Sequence, residues 1–380
     1  MTKAYSKIKC IVVGPIHYNT LNVIRSLEQN AIDTLSILIG KPKSNFVTVS
    51  KYVKHWISIE DYNDIGITLD NISGYIKQRL PLIAINDRSA SEIDKIYDKI
   101  NLKFILPNCK NIQGGIIQEM SKFRQIEVAS QSGFRTPETI MIRPSDFNKD
   151  NFHIPFPCII KPAKSIDGFK SDMKVCSNLD EAEKHIYSFD NNPELLIQQF
   201  IPNIRFFLIA GIRCSDGEVI IPGVVEKIKK GSRNNTMGLN AFGKLTKCDG
   251  AMIEKCKKYL SNIDYHGLFS FEFANPENEY TCIANSYFIE VNLRSDGLLF
   301  FYNTAGFSLP SIWADADYRN SIRYHKIQKE IYGINESIYI KEFLRKESLK
   351  GVIKDFLMAN CYSYFSITDP RPFIRKFFKI

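Results

Sequence analysis

Two carboxylates stand in apolar runs that read as core strands. In FSFEFA, Glu272 sits between Phe271 and Phe273, and in YFIEVNL, Glu290 and Asn292 lie two residues apart, which puts them on one face of a strand. A buried carboxylate costs several kcal/mol unless it is paired or bound to metal. If the two strands are neighbours, Glu272, Glu290 and Asn292 form an oxygen-only cluster. Such a set is too small to cage an ion and suits Mg²⁺, with Mn²⁺ as a substitute, that completes its octahedron with nucleotide phosphates and water. The competing reading pairs Glu272 with a lysine and Glu290 with Arg294, which lies four residues on and shares the face. The alternate residues Ile289, Val291 and Leu293 are expected to face the core.

Cations for phosphates occur elsewhere. Lys161 ends the apolar run CIIK and is followed by Pro162, so its ammonium should leave a rigid strand end toward the next loop. That loop, AKSIDGFKS, offers backbone N–H groups at Ser165, Gly168 and Ser171 as phosphate donors. Lys122 lies on an upstream helix. Lys227, Lys229, Lys230 and Arg233 surround Gly231 and read either as a mobile loop over phosphates or an acidic substrate, or as an exposed hairpin tip. The six histidines show no metal spacing. His17 reads as a surface turn or as a lining of the N-terminal face toward the cleft. No Ser/His/Asp or Cys/His set can be assigned.

These residues need elements to hold them. Apolar β-rich runs at 8–13, 35–40, 80–86 and 104–107 alternate with helical spacing, which predicts a parallel α/β sheet. Gly14 stands alone, so no dinucleotide fingerprint is present. Residues 119–133 read as one helix ending at Gly133. From 157 to 210 a strand, loop, strand, helix, strand order predicts a small α+β unit. The runs FFLIAGI, EVIIPGVVEKI, LFSFEFA and YFIEVNL, separated by turn-forming stretches, predict antiparallel strands interrupted by the helix AMIEKCKKYLSNI. Beyond 320 the chain reads as charged and helical. The domains are therefore placed at 1–115 (α/β), 116–202 (α+β), 203–320 (acid-bearing strands) and 321–380 (a helical basic extension).

Composition narrows the class. A chain of 380 residues with 44% hydrophobic content can bury a real core. No apolar run is long enough to span a membrane, and the first residues lack the pattern of a signal peptide, so a cytoplasmic protein is expected. The nine cysteines are scattered without zinc spacing and read as reduced packing residues. The net charge of +9 is weighted to the C-terminus, where lysines and arginines interleave with phenylalanines. That tail reads either as a weak contact for anionic lipid or as a helix docked through its phenylalanines. Elsewhere the basic residues are not interleaved with aromatics, which argues against nucleic acid.

The ordered landmarks SKF before GFRTP, CIIKPAKSIDGFKS, LLIQQFIPN, LFSFEFA, FIEVNLRSDG and TAGFSLP resemble the ATP-grasp ligases over about residues 8–312. SKYVKHW and DPRPF are similar, more loosely, to D-aspartate ligase and to ATP-grasp proteins of surface-polysaccharide pathways. The resemblance implies an ATP-grasp fold with an N-terminal pre-ATP-grasp domain, and an ATP- and Mg²⁺-dependent reaction. In it a carboxylate becomes an acyl phosphate that an amine or thiol attacks, with release of ADP and phosphate. It implies that Lys122 and Lys161, with Ser165 and Gly168 of the loop, meet phosphates, and that Gln198, Gln199, Phe200 and Ile201 form the adenine linker. Glu272, Glu290 and Asn292 would hold one or two metal ions. Arg294, with Lys227, would face the transferring phosphoryl group. The implied partners are a small carboxylate and an amine, with a homodimer left open. Two departures stand out: Gln198 or Gln199 replaces the glutamate that opens the linker, and Asn203 and Arg205 occupy the place of a ribose-binding acid. They motivate a rival reading, a degenerate ATP-binding protein without turnover.

Overall fold

A computed structural model of the chain describes residues 7–41, 45–163, 172–202, 204–233, 236–277, 282–322, 325–344 and 346–378. The first strands are β1 (Cys10–Pro15), β2 (Thr34–Ile39), β3 (His55–Ile59), β4 (Leu80–Ala84) and β5 (Phe104–Ile105), forming a sheet in the order β3-β2-β1-β4-β5. All its pairings are parallel. β2 and β4 are buried along their whole length, as strands covered on both faces must be, which is why they are continuous apolar runs. β3 is an edge strand of mixed exposure, and its mixed sequence, HWISI, offers no continuous apolar run to a hydropathy reading.

The short β6 (Asn108–Cys109) leaves this sheet and pairs with a strand far along the chain. The helix expected over 119–133 is broken at Met120 and Ser121 into Gly115–Glu119 and Lys122–Gln131. Gly133 follows with φ +87°, the left-handed turn that ends helices. A second sheet, antiparallel, contains β7 (Thr139–Ile142), β8 (Cys158–Pro162), β9 (Lys174–Cys176) and β10 (Leu195–Gln199) in the order β7-β10-β8-β9.

The third and largest sheet holds β11 (Ile204–Arg213), β12 (Val219–Ile220), β13 (Val224–Arg233), β14 (Thr236–Thr246), β15 (Tyr265–Pro276), β16 (Tyr287–Asn292), β17 (Ile331–Ile334) and β18 (Cys361–Tyr362), together with β6. The residues beyond 320 are thus not helical throughout, because β17 and β18 extend this sheet past β14. One hydrophobic core continues from the N-terminal sheet (Val12, Leu38, Ile83) through β11 (Leu208, Ile212) to Leu299 and Phe301. A second lies under β15 and β16 and contains Phe269, Phe271, Phe273, Phe288 and Val291.

The tail is fastened by buried polar contacts. Arg25, on the helix Tyr18–Gln29, donates from Nε to Asp369 Oδ2 at 2.9 Å and from Nη1 to the Tyr364 carbonyl at 2.9 Å. Asp369 also accepts from Ser50 Oγ at 2.6 Å. Glu336 accepts from the amides of Ser363 and Phe365 at 2.9 and 2.7 Å. Removing one partner of a buried pair strands the other charge, so Arg25→Met is expected to cost about 3–5 kcal/mol of stability. Denaturant unfolding measures this, and a loss under about 1 kcal/mol would mean the pair does not fasten the tail.

Candidate active site

The alternation of FSFEFA decides where its acid points. Phe269, Phe271 and Phe273 are buried in the core, so Glu272 must emerge on the other face of β15. β16 pairs with it antiparallel, bringing Glu290 directly opposite Glu272 and Asn292 opposite Ser270. The register then slips, so that Phe273 faces Phe288 and Ile289 is the extra residue. This bulge corrects the expectation for Ile289, which does not join Val291 and Leu293 in the core. It turns to line the same cleft as Gln198.

Three lysines face this carboxylate pair. Lys227 Nζ lies 3.1 Å from Glu272 Oε2, with the lysine side chain only 8% exposed. Lys161 is buried at the end of β8 and donates to Gln198 Oε1 at 3.1 Å, and Gln198 Nε2 donates to Thr139 Oγ1 at 2.9 Å. The Lys161 ammonium is pushed down to about 7, first by burial and then by Lys122, with Glu290 opposing. Burial raises the Glu290 carboxyl, Glu272 adds to this, and Lys122 and Lys161 pull it back. Lys122 is held at the start of its helix, its amide donating to the Ala163 carbonyl at 3.2 Å. Residues from 122 to 290 therefore share one electrostatic site.

Beside the lysines runs an apolar slot between the second and third sheets. Ile159, Met173, Phe206 and Ile289 line it, with Gln199, Phe200 and Ile201 along one side. The amide of Gln199 donates to Glu138 O and that of Phe200 to Pro157 O, which fixes the path of this segment.

Past β16 the chain turns to the N-terminal sheet. The amide of Ser295 donates to the Ala84 carbonyl at 3.2 Å, and a Cβ on Gly297 would lie 2.8 Å from Tyr18 Oη, so any larger residue there would push the Tyr18 ring aside. Arg294 does not pair with Glu290. Its Nε and Nη2 reach Asp87 Oδ1 and Oδ2 at 2.9 and 3.3 Å, and Nη2 also donates to Asn292 Oδ1 at 3.0 Å. Burial opposes its charge, while Asp87, Asp296 and Glu290 outweigh burial and hold it firmly protonated. Asp87 opens the helix Asp87–Asp94, capped by Asn86 Oδ1 on the Ser89 amide at 3.0 Å. Sequence reasoning missed Asp87. Its place just past the end of a parallel strand, where ligands of such sheets collect, was the available signal.

His17 caps the helix Tyr18–Gln29, its Nδ1 accepting from the Asn19 amide at 3.2 Å. Its ring keeps a solvent-facing side, yet the surrounding wall, then Lys376 and Arg294, push it down to about 4. Lys229 and Lys230 are strand residues bound to Asp355 (2.7 Å) and to the Ile204 carbonyl (2.6 Å). Together with the buried Lys227, they overturn both the mobile-loop and the exposed-tip readings for these lysines. Arg205 pairs with Glu226, Nε to Oε1 at 2.9 Å. Ser165, Gly168 and Ser171, Asn203 and the side chain of Arg233 lie outside the described residues.

The donor set fits a divalent cation only in part. Among the described residues no three His, Cys, Asp or Glu side chains converge on one point. Two carboxylates and an amide oxygen remain, hard donors that leave most of an octahedron to substrate and water.

No family model matches the chain, and no curated protein matches it. Solved structures do. The biotin carboxylase of Campylobacter jejuni, in complex with β,γ-ATP, is similar with a TM-score of 0.62 and 17% identity over 86% of this chain and 75% of that one. An L-amino acid ligase from Bacillus licheniformis gives 0.58 and 13% identity over 80% of this chain and 72% of its own. The dimeric biotin carboxylase domain of Hydrogenobacter thermophilus 2-oxoglutarate carboxylase, bound to MgADP, ADP and bicarbonate, gives 0.61 and 17% over 85% and 71%. At these identities the likeness establishes the fold, which is the ATP-grasp fold that the sequence landmarks resemble.

Proposed function

We propose that the protein is an ATP- and Mg²⁺-dependent ligase that activates a carboxylate as an acyl phosphate for attack by an amine or thiol. The observation that carries this reading is the direct cross-strand pairing of Glu272 with Glu290, facing the buried Lys161 beside an apolar slot. A buried cation with no carboxylate at ion-pair distance among the described residues, opposite two crowded carboxylates, is an arrangement that phosphates and a divalent cation complete together.

Adenine enters the slot along Gln198, Gln199, Phe200 and Ile201, whose apolar walls include Phe206 and Ile289. Lys161 and Lys122 neutralise the phosphates, and Ser165 and Gly168, outside the described residues, are assigned to phosphate binding by the sequence resemblance alone. Glu272, Glu290 and Asn292 hold Mg²⁺, for which Mn²⁺ can substitute. The bound cation supplies charge neutralisation on the oxygens of the transferring phosphoryl group. Arg294, held by Asp87, presents a fixed guanidinium to the carboxylate or the phosphoryl group, and Lys227 stands ready on the other side of Glu272. A carboxylate oxygen of the substrate bonds to the γ-phosphorus as the bond to ADP breaks. The amine nitrogen then bonds to the acyl carbon, phosphate departs with the electron pair, and the nitrogen loses a proton. The chain's share is positioning and charge neutralisation, so no side-chain nucleophile is needed.

The segments 1–115, 116–202 and 203–320 are assigned as pre-ATP-grasp domain, central subdomain and acid-bearing subdomain, with 321–380 as an extension. Location in the cytoplasm and assembly as a homodimer complete the reading; the dimeric 2-oxoglutarate carboxylase domain supports the latter. The test is ADP release from ATP and Mg²⁺ in the presence of pooled small carboxylates and pooled amines. Release that requires both pools is expected. Nucleotide binding with no release under any pair would replace the ligase by the degenerate ATP-binding protein that Arg205 suggested.

A further inference from the structure

The C-terminal extension carries a surface that catalysis does not use. Half of the large hydrophobic side chains left exposed among the described residues fall between Ile340 and Phe378, about a tenth of the chain. On the helix Leu349–Met358, Val352 and Asp355 face inward, while Leu349, Ile353, Phe356 and Leu357 face solvent. Their spacing of four, seven and eight residues is one stripe of a helix. Leu349 is 76% exposed and Leu357 82%. Lys350 and Lys354 flank the stripe and are exposed.

The stripe continues onto the last helix, Arg371–Phe378. Phe356 stacks on Tyr362 with centroids 6.2 Å apart, Tyr362 meets Phe365 at 5.9 Å, Phe365 meets Phe373 at 5.5 Å, and Phe373 meets Phe378 at 6.2 Å. Phe377 anchors this helix to Tyr364 on the body, leaving Phe378 and Ile374 outward. The outcome is one apolar surface across two helices rather than scattered exposed residues, and such patches mark interaction sites.

Charge identifies what covers it. The acids of the extension are already engaged: Asp355 and Glu347 with Lys229 at 2.7 and 2.9 Å, Asp369 with Arg25, Glu336 with backbone amides, Glu342 with Lys346 at 3.7 Å, and Glu330 with Lys244 at 3.2 Å away from this face. The exposed bases Lys350, Lys354 and Arg371 have no acid at ion-pair distance among the described residues. Two copies of this face would oppose like charges. An apolar helical stripe with a basic border fits instead the interface of a bilayer whose headgroups are anionic. We propose that the face formed by Leu349–Met358 and Arg371–Phe378 docks the protein peripherally on membranes rich in anionic phospholipid. Among the described residues no helix is long and apolar enough to cross a membrane, so the attachment is to the surface and reversible.

The test uses the full chain and sedimented vesicles of roughly seven parts phosphatidylcholine to three parts phosphatidylserine, against phosphatidylcholine alone. Binding at least about tenfold tighter to the anionic vesicles is expected, and each lysine near the surface contributes about fivefold. Lys350→Glu with Lys354→Glu should therefore weaken binding more than about twentyfold. Ile353→Asp with Leu357→Asp should weaken it comparably, with the unfolding midpoint unchanged because all four side chains are exposed. Absence of binding to anionic vesicles would overturn the proposal, as would binding that neither double variant weakens. A lipid-free dimer dispersed by the Ile353 and Leu357 changes would overturn it too, and would show that a second copy covers the face.

Discussion

Glu290→Gln is expected to lower ADP release by about a thousandfold or more, ~4 kcal/mol of transition-state stabilisation, in a protein that folds at least as well as the unaltered one. Gln keeps the size of the side chain and one acceptor oxygen, so β16 and its bulge at Ile289 have no steric reason to move. It removes the charge that a divalent cation needs opposite Glu272. Folding responds in the other direction. The Glu290 carboxyl is raised from its ordinary 4.5 by burial and by Glu272, so in the folded state its ionised form is disfavoured. For an acid shifted upward, the folded protein binds more protons than the unfolded chain, and stability falls as pH rises from 4.5 to the folded value. The amide variant lacks that loss, so its stability relative to the parent should be greater at neutral pH than at pH about 4. Activity and thermal unfolding measured together separate the two effects. Turnover within about tenfold of the parent would sink the assignment of Glu290 to the metal.

How far the sequence carried depends on how local each cause is. The pairing of Glu272 with Glu290 was legible because phenylalanines on either side of Glu272 leave its direction no choice. The parallel sheet was legible because strands covered on both faces must be continuously apolar. The bulge was not legible, since period-two reasoning assumes an unbroken register and Ile289 is as apolar as its neighbours. The partner of Arg294 was not legible, because Asp87 lies 207 residues away and only the fold brings the two together. In KIKK the lysines resembled a loop, yet each finds a separate partner in Glu272, Asp355 or a backbone carbonyl, so a strand can carry them. β3 and β18 escaped notice because edge and two-residue strands obtain their pairing from neighbours rather than from their own composition, and the four residues of β17 are too few to show a period.

The second large effect concerns Lys161 and follows from Gln198, which stands where the ATP-grasp resemblance leads one to expect a glutamate. An amide can accept the hydrogen bond of a buried ammonium at 3.1 Å but supplies no charge, so burial and Lys122 bring Lys161 down to about 7. The unfolded chain, with an ordinary lysine near 10.5, binds the proton over the whole interval. Stability contributed through this group is therefore lowest below pH about 7 and rises with pH from there to about 10.5. Lys161→Met should stabilise the protein by a few kcal/mol at neutral pH while weakening ATP binding at least about a hundredfold. In the parent, phosphates recruit the protonated lysine, so ATP binding should take up a proton above pH 7 and weaken by up to about tenfold per pH unit between about 7.5 and 9. Calorimetry in buffers of different ionisation enthalpy counts that proton. Gln198→Glu restores the missing charge and should keep Lys161 protonated throughout, flattening the pH dependence of ATP affinity and removing the uptake. If parent and Gln198→Glu protein show the same slope, Lys161 is not the titrating group, and the free energy stored in its burial is not released on phosphate binding.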